Sequence, residues 1–540
     1  AERFQEDFHR HTAVVQQAFI HLFHAPQEEI RRQADEESVA LLRELHYEER
    51  TLWRLQRLGF RNLTESYQHL RLLRDGPPHS PSSPRRKKIL YTLAPALVSE
   101  IYHSADPDLA LRHMASFIAT VGARSSFLSL LLENPSTLRV LVELFGTSEY
   151  LSQFFLRHPE LLDNLVRVDL VQVDKDRGTM AAELSSRLAA SPLYEERLDI
   201  LRRYRNEEFL RIGINDIHGL LDFTAVSRQL SHLAEVSLEG AYQSALATLL
   251  TLGMGKLGAA ELNYNSDLDL IFIYQPFVQT RHVASLQDSL TAHEFFTKLA
   301  QRLITTLQVQ TQEGYVYKID TRLRPSGRAG SLVSSFAAFV NYHRTSSQLW
   351  ERQALIKARA VAGDAALGTQ VEKVIAEYVY GSSLTSPEAA EIHRLRMRME
   401  EELAREHKGR LNIKTGRGGI VDIEFLTQML QLRHGNRLPY LRQRGTLPAL
   451  EALQTSSILS AGDFTLLSQG YVFLRTLENR LRIERDQPVE ALERDGEKPL
   501  ALARRMGYKG EDADRQLLRD YENHREEIRG CYTRWFGEEG

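Results

Sequence analysis

GMGKLGAAELNYNSDLDLIFIY, residues 253–274, is the stretch that decides the fold. A glycine-rich turn runs through a polar segment into DLDLIFIY (267–274), which alternates and then becomes wholly apolar. Just upstream, LATLLTLG (246–253) is a continuous apolar run ending in glycine, and downstream GYVYKIDTRLR (314–324) alternates with β-branched and aromatic residues. These three segments predict strands, with TAHEFFTKLAQRLITTL (291–307) as an amphipathic helix between the second and third. Outside this α/β unit most windows space their apolar residues at i, i+3 and i+4, and only 31 Gly and 17 Pro interrupt 540 positions. The expected fold is therefore α+β and mostly helical, a small mixed-sheet core flanked by helical bundles.

The expected division follows composition. Residues 1–75 read as two long N-terminal helices, including VVQQAFIHLF and ESVALLRELHYEERTLWRLQRLGF. A linker at 76–88 carries Pro77, Pro78, Pro81 and Pro84. A helical domain at 89–205, the strand-bearing core at 206–365 and a C-terminal helical bundle at 366–540 complete the chain. At about 150 residues per domain the length suits three or four domains, which excludes disorder as the dominant state. Lys and Arg total 68 against 71 Asp and Glu, a net charge of -3, so broad nucleic-acid binding by counterion release is not expected. No run of about 18 apolar residues predicts a membrane span. The single cysteine, Cys531, cannot form an internal disulfide and suits a reducing cytoplasm. The first residues, AERFQEDFHRHTAVV, lack an apolar signal core and an initiator Met, which reads as a fragment of something longer.

The chemistry concentrates around the glycine turn. GMGKLG matches a dinucleotide fingerprint as a bare pattern, but Asn263-Tyr264-Asn265-Ser266 would end any helix early, and an acidic residue arrives too soon. Gly253 and Gly255 can still bring backbone N–H groups close to phosphate oxygens, with Lys256 adding a cation and Ser266 a hydroxyl. In a strand, Asp267 and Asp269 project to one face while Leu268 and Leu270 enter the core. Two carboxylates so close repel each other unless a cation neutralises them, which points to Mg²⁺. Asp320, at the end of YVYKID, adds a third carboxylate, and three on adjacent strands could bridge two metal ions in a phosphoryl displacement. A lone D-x-D pair is more often simply solvated; the glycines and the third Asp reverse that balance.

Neighbouring residues leave alternatives open. Arg322 and Arg324, if the third strand continues, share the face of Asp320 and either stabilise a leaving pyrophosphate or pair with the carboxylates. Lys357 and Arg359 fall in a helix or turn after Trp350, where a solvated face is the expectation. Lys414 belongs to NIKTGRGGI (412–420), either an anion site at a helix start or a plain turn. On the helix that follows, Glu424 faces with Gln428 and away from Asp422, so Lys414 and Glu424 are carried as pocket-lining candidates. His9, His11, His21 and His24 lack a companion carboxylate or thiol at metal spacing and read as surface residues. Cys531 reads as a packed thiol, and RRKK at 85–88 as a solvated loop.

The glycine turn, D-x-D pair and later Asp resemble the nucleotidyltransferase superfamily that includes DNA polymerase β. GMGKLGAAELNYNSDLDLIF (253–272), DTRLRPSGRAGSLV (320–333), WERQALIKARAVAGD (350–364) and IKTGRGGIVDIEFLTQMLQLRHG (413–435) narrow this further. Together they resemble the glutamate-ammonia-ligase adenylyltransferase family over about residues 90–540. Ala259-Ala260 departs from the family's glycine-dominated pair. The resemblance implies one half of a two-headed regulator of glutamine synthetase, in which one half attaches AMP from ATP and the other removes it by phosphorolysis. The form DTRLRPSGRAG is more similar to the adenylylating half, since the removing half tends to a Met after the Asp and a Phe in place of Ser326. The leading FHRHTAVVQQAFIHLF resembles the seam closing the first half.

By resemblance, Asp267, Asp269 and Asp320 are the catalytic and metal-binding residues, and Gly253, Gly255, Lys256, Ser266, Arg322, Arg324, Lys414 and Glu424 line the nucleotide site. ATP is the implied substrate, Mg²⁺ the cofactor and a tyrosine of glutamine synthetase the acceptor. The PII signal protein is implied as a partner and glutamine as an effector. The removing reaction and a nucleotide-sensing module without turnover are the competing expectations.

Overall fold

A computed structural model describes residues 36–75, 84–121, 125–159, 173–191, 193–242, 249–275, 291–407, 409–484, 491–494, 498–510 and 512–537. The expected helix at 14–23, the four N-terminal histidines and most of the 76–88 linker lie outside the described residues. The chain separates into two compact units: 1–172 with 213–220 and 483–486, and 173–212 with 221–482 and 487–540. Among the described residues, no helix is long and apolar enough to cross a membrane.

The first unit is helical, with helices Glu36–Glu44, Glu48–Arg57, Leu63–Asp75, Pro84–His103, Pro107–Val121, Ser125–Glu133, Pro135–Thr147 and Glu149–Arg157. The stretch expected as one helix over 37–60 is broken at Leu45–Tyr47, because Tyr47 is extended and Glu48-Glu49 open a fresh first turn that suits the helix dipole. Arg54 spans the break, reaching Glu37 at 2.9 Å and Glu44 at 2.7 Å. Asp108 ties the start of Leu63–Asp75 by accepting from the N–H of Arg61 and Asn62 and the hydroxyl of Ser66. Phe117, Phe145 and Phe155 form a buried aromatic triangle with centroids about 6 Å apart.

In the second unit, α1 (Phe223–Tyr242) precedes the sheet. β1 (Leu249–Gly253), the short turn α2 (Gly255–Gly258) and β2 (Leu268–Tyr274) follow, then α3 (Ala292–Gln308), β3 (Ile319–Asp320) and β4 (Val333–Ser335). After α4 (Phe336–Thr345) and α5 (Leu349–Ala354) comes β5 (Arg359–Gly363). The strand order is β3-β2-β1-β5, with β4 also on β2. β1 runs antiparallel to β2 and β5, whereas β3 and β4 pair parallel with β2, so the sheet is mixed as expected. α3 opens with a capping box in which the Thr291 hydroxyl accepts from the Glu294 N–H and Glu294 reaches back.

Two strand expectations need correction. The third strand does not extend over 314–324: only Ile319–Asp320 is ladder, because the Asp320 carboxylate captures the Arg322 N–H at 2.8 Å and turns the chain out of the sheet. Arg359, expected on a helix or turn, lies on β5; β4 and β5 carry no strand signal of their own because both are short and flanked by helical periodicity.

Leu250, Leu252, Ile271 and Ile273 bury one face of the sheet in the same core as Leu367, Val371, Ile375 and Val379 of α6 (Ala365–Tyr380). Each such side chain contributes roughly 1.5–3 kcal/mol on burial. The core continues through α7 (Ser386–Met399), α8 (Ile420–His434), α9 (Thr446–Thr455), α10 (Ala461–Glu484) and α11 (Ala513–Gly537). Cys531 is buried on α11, in agreement with a packed thiol, and burial pushes it up to about 12.

His343 on α4 is 5% exposed among Phe339, Tyr342 and Tyr378, and neither ring nitrogen has a hydrogen-bond partner. Burial holds its pKa down to about 4, below the ordinary value of 6.5. The folded state therefore binds fewer protons than the unfolded chain between these values, and stability from this group is lost as pH falls from about 6.5 to about 4. At about 1.4 kcal/mol per pKa unit this amounts to roughly 3 kcal/mol at most. Urea unfolding of His343→Phe should show a smaller loss of stability between pH 7 and pH 4.5 than the parent; an identical loss would contradict this account.

Candidate active site

β1 and β2 meet at their carboxyl and amino ends, respectively, where the glycine turn sits. The Met254 N–H donates to the Asp269 carbonyl at 2.9 Å, closing the turn onto β2. Gly255 has φ +51°, and a Cβ there would stand 2.9 Å from Asp269 Oδ2, so the bare backbone lies against the carboxylate. Gly258 is needed for packing: a Cβ would fall 1.8 Å from the Lys357 carbonyl oxygen. Gly253 is likewise crowded, by Val361 on β5. Of the three glycines, only Gly255 presents its backbone to the carboxylates.

Leu268 and Leu270 are fully buried while Asp269 between them is not, as the alternation predicts; Asp267 stands exposed just before the strand. Asp269 stands in parallel register with Asp320 on β3. Burial, then the charges of Asp320 and Asp267, raise the Asp269 carboxyl to about 6; Lys414 and Arg322 pull the other way. Asp320 is held below the ordinary carboxylate range by Arg322, whose Nε donates at 2.7 Å and whose backbone N–H donates at 2.8 Å. Of the alternatives for Arg322, the ion pair is the one observed here. Arg324 instead donates to the carbonyls of Thr321 and Gly330 and shapes the loop.

Among the described residues, no group of three or more carboxylate, imidazole or thiol side chains is drawn together as a metal site. The donor chemistry nevertheless fits a hard divalent cation, since Asp269 and Asp320 stand opposite each other in the ladder, the charge of Asp267 also acts on Asp269, and Asp269 carries the repulsion such a cation would relieve. Asp320 would first have to release Arg322. Ser266 accepts from the Asn263 N–H at 3.2 Å. Lys414 N–H donates to Asn412 Oδ1 in the loop before α8, and its charge acts on both Asp269 and Lys256.

Beneath the turn lies a buried ionic network. Lys256 Nζ is 2.8 Å from Glu478 on α10, which also pairs with Arg475 at 2.8 Å and Arg482 at 3.0 Å. Arg475 continues to Glu424 on α8 at 2.8 Å, and Glu424 to Lys357 at 2.7 Å. Lys357 reaches Glu261 at 3.0 Å, and Glu261 accepts from the Thr446 N–H at 2.6 Å. The solvated face expected for Lys357 is thus overturned: its side chain is 9% exposed, because two carboxylates converge on it. Burial works against ionisation of Glu424, but Lys357 and Arg475 bring it to about 2. Lys256 moves the other way, burial lowering it to about 7 against the pull of Glu478.

Glu261 lies within the GMGKLGAAELNYNSDLDLIF stretch but is not singled out by any spacing, and Arg475, Glu478 and Arg482 belong to no motif. The one sequence signal of the latter three is their i, i+3 and i+7 spacing on α10, which puts them on one side of the helix. Asp422 and Glu424 face apart as expected, Asp422 pairing with Arg396 and Arg529.

Residues 138–374 match the family model described as glutamate-ammonia ligase adenylyltransferase, and residues 393–536 match one described as PII-uridylyltransferase. The chain is 32% identical over 522 residues to a bifunctional glutamine synthetase adenylyltransferase/adenylyl-removing enzyme of Thioalkalivibrio sulfidiphilus, covering 91% of this chain and 54% of the relative. Relatives of the same name from Nitrosococcus oceani and Hahella chejuensis are 36% and 34% identical, over 74% and 70% of this chain and 42% and 40% of theirs. The chain thus spans about half the length, or less, of the curated relatives it matches. The glycine turn and the carboxylates of β2 and β3 lie inside the segment that is similar to the glutamate-ammonia ligase adenylyltransferase family.

Proposed function

We propose that this chain transfers AMP from ATP to a tyrosine hydroxyl of glutamine synthetase, releasing pyrophosphate and lowering synthetase activity in nitrogen regulation. The observation that carries the proposal is the register of Asp269 with Asp320 beside Gly255, with the charge of Asp267 also acting on Asp269 and the Asp269 carboxyl raised to about 6. The names of the relatives support glutamine synthetase as the target. In this reading the core at 206–365 does the chemistry, and the bundle from 366 onward closes over the nucleotide and meets partners.

Asp267, Asp269 and Asp320 would hold Mg²⁺, which when bound neutralises phosphate charge and eases deprotonation of the acceptor. The tyrosine oxygen attacks the α-phosphorus, the bond to the β-phosphate bridging oxygen breaks, and pyrophosphate leaves with the electron pair. Asp320 takes the phenolic proton once Arg322 has moved from it to the phosphates, where a guanidinium stabilises the charge of the leaving group. Gly253, Gly255 and Ser266 line the phosphate side with Lys256, and Lys414 adds positive charge. Glu424 acts from below, by fixing Lys357 and Arg475.

The PII signal protein is the partner we propose for the bundle, supported by the match of residues 393–536 to a PII-uridylyltransferase model. Glutamine as effector and a cytoplasmic setting complete the reading. Phosphorolytic removal of AMP, in which a phosphate oxygen attacks the AMP phosphorus and ADP departs from the tyrosine, is the second reading. It is favoured by the relatives' names, which carry both activities.

Labelled ATP, Mg²⁺ and unmodified glutamine synthetase should yield labelled synthetase with this chain, whereas adenylylated synthetase with phosphate should yield little ADP. The reverse pattern would establish the second reading, and silence in both tubes would sink catalysis altogether. Asp267→Asn with Asp269→Asn should lower transfer on the order of 100-fold or more, the scale of losing a charge-stabilising group. The same double variant should melt no lower than the parent, because like-charge repulsion has been removed.

A further inference from the structure

The ionic network under the glycine turn is crowded at one carboxylate. Lys357 reaches Glu261 and Glu424, and Arg475 reaches Glu424 and Glu478. At the end of this chain of contacts three cations, Lys256, Arg475 and Arg482, gather on Glu478. Lys256 is also the cation attached to the turn, one residue from Gly255 and its contact with Asp269. Its side chain keeps 18% exposure while Glu478 has none. Glu478 would stay doubly paired if Lys256 left; Lys256 would need another anion.

Building on the nucleotide reading above, we propose that Glu478 is a positioning residue that holds Lys256 beside the turn and yields it to the phosphates of the incoming nucleotide. The sharing of Glu478 among three cations is the physical reason for the exchange. An anion arriving at the turn takes the cation that the turn itself carries, and Glu478 keeps Arg475 and Arg482. Because all three of its partners are gathered at one carboxylate on α10, the departure of Lys256 changes what binds that helix. Nucleotide occupancy is thereby communicated from the turn to the bundle without contact between α10 and the nucleotide.

Inorganic tripolyphosphate, titrated calorimetrically into the full chain, tests the exchange without requiring turnover. Glu478→Gln removes the competing negative charge and should bind tripolyphosphate on the order of 10-fold tighter, with a lower KM for ATP and no gain in kcat. Lys256→Met should bind it on the order of 10-fold more weakly, yet melt no lower than the parent, since Arg475 and Arg482 keep Glu478 paired. Unchanged affinity in Lys256→Met, or a clear fall in its melting temperature, would make the contact purely structural and overturn the proposal. Should Glu478→Gln fail to fold, Lys256→Met alone decides. A parent chain that binds neither tripolyphosphate nor ATP overturns the nucleotide reading and this proposal together; binding in the parent with unaltered variants overturns only the exchange.

Discussion

Glu424 and Glu478 are carboxylates taken out of water, and the arrangement of the second unit depends on how they are compensated. Removing an ion from water costs several kcal/mol even after relaxation, and the cost is offset only when partners approach with good geometry. Here the partners come from separate parts of the chain: Lys256 from the glycine turn, Lys357 from the segment before β5, and Arg475 and Arg482 from α10 itself. A hydrophobic interface of the same size would be as stable and would tolerate sliding. A charged one does not, because a shift of one side chain leaves a buried ion without its counterion. The network therefore fixes the register of sheet, turn and bundle more than it adds stability.

The glycine turn is constrained from a second direction. Gly258 lies against the Lys357 carbonyl so closely that no side chain can be inserted, while the Lys357 ammonium reaches Glu424 and Glu261. Backbone packing on one side and ion pairing on the other hold a single residue, so the turn and the segment before β5 move as one piece. That rigidity gives Asp267 and Asp269 a fixed platform, and repulsion among the carboxylates is borne by the frame instead of being relaxed by motion of the strand.

Much of this was legible in the sequence, for identifiable reasons. The period-two pattern of Asp267 to Leu270 specifies which side chains share a face, because strand geometry leaves no other choice. The α3 helix was legible through its amphipathic period, and its start through Thr291 and Glu294. The alternation of Tyr, Val and Arg predicts a longer third strand than forms, because it does not reveal that the Asp320 side chain will bond the backbone two residues on. Local pattern predicts a solvated Lys357, because a lysine's burial depends on carboxylates contributed from Glu261 and Glu424, far away in sequence. The ionic network as a whole lies beyond short-range reading for the same reason.

The double use of β2 has a consequence of its own. Asp320 and Val333 begin and end an excursion whose two feet stand on the same strand, opposite Asp269 and Phe272. Asp269 and Phe272 are three positions apart on β2, about 10 Å. A segment anchored in this way behaves as a surface loop grafted on a rigid edge, and the entropy of closing it rises only logarithmically with its length. Beyond Arg322, which holds Asp320, and Arg324, which shapes the loop, its sequence and length can drift without disturbing the carboxylate at its root, so this edge of the sheet is where descendants of the fold can remodel what they recognise while keeping the same chemistry.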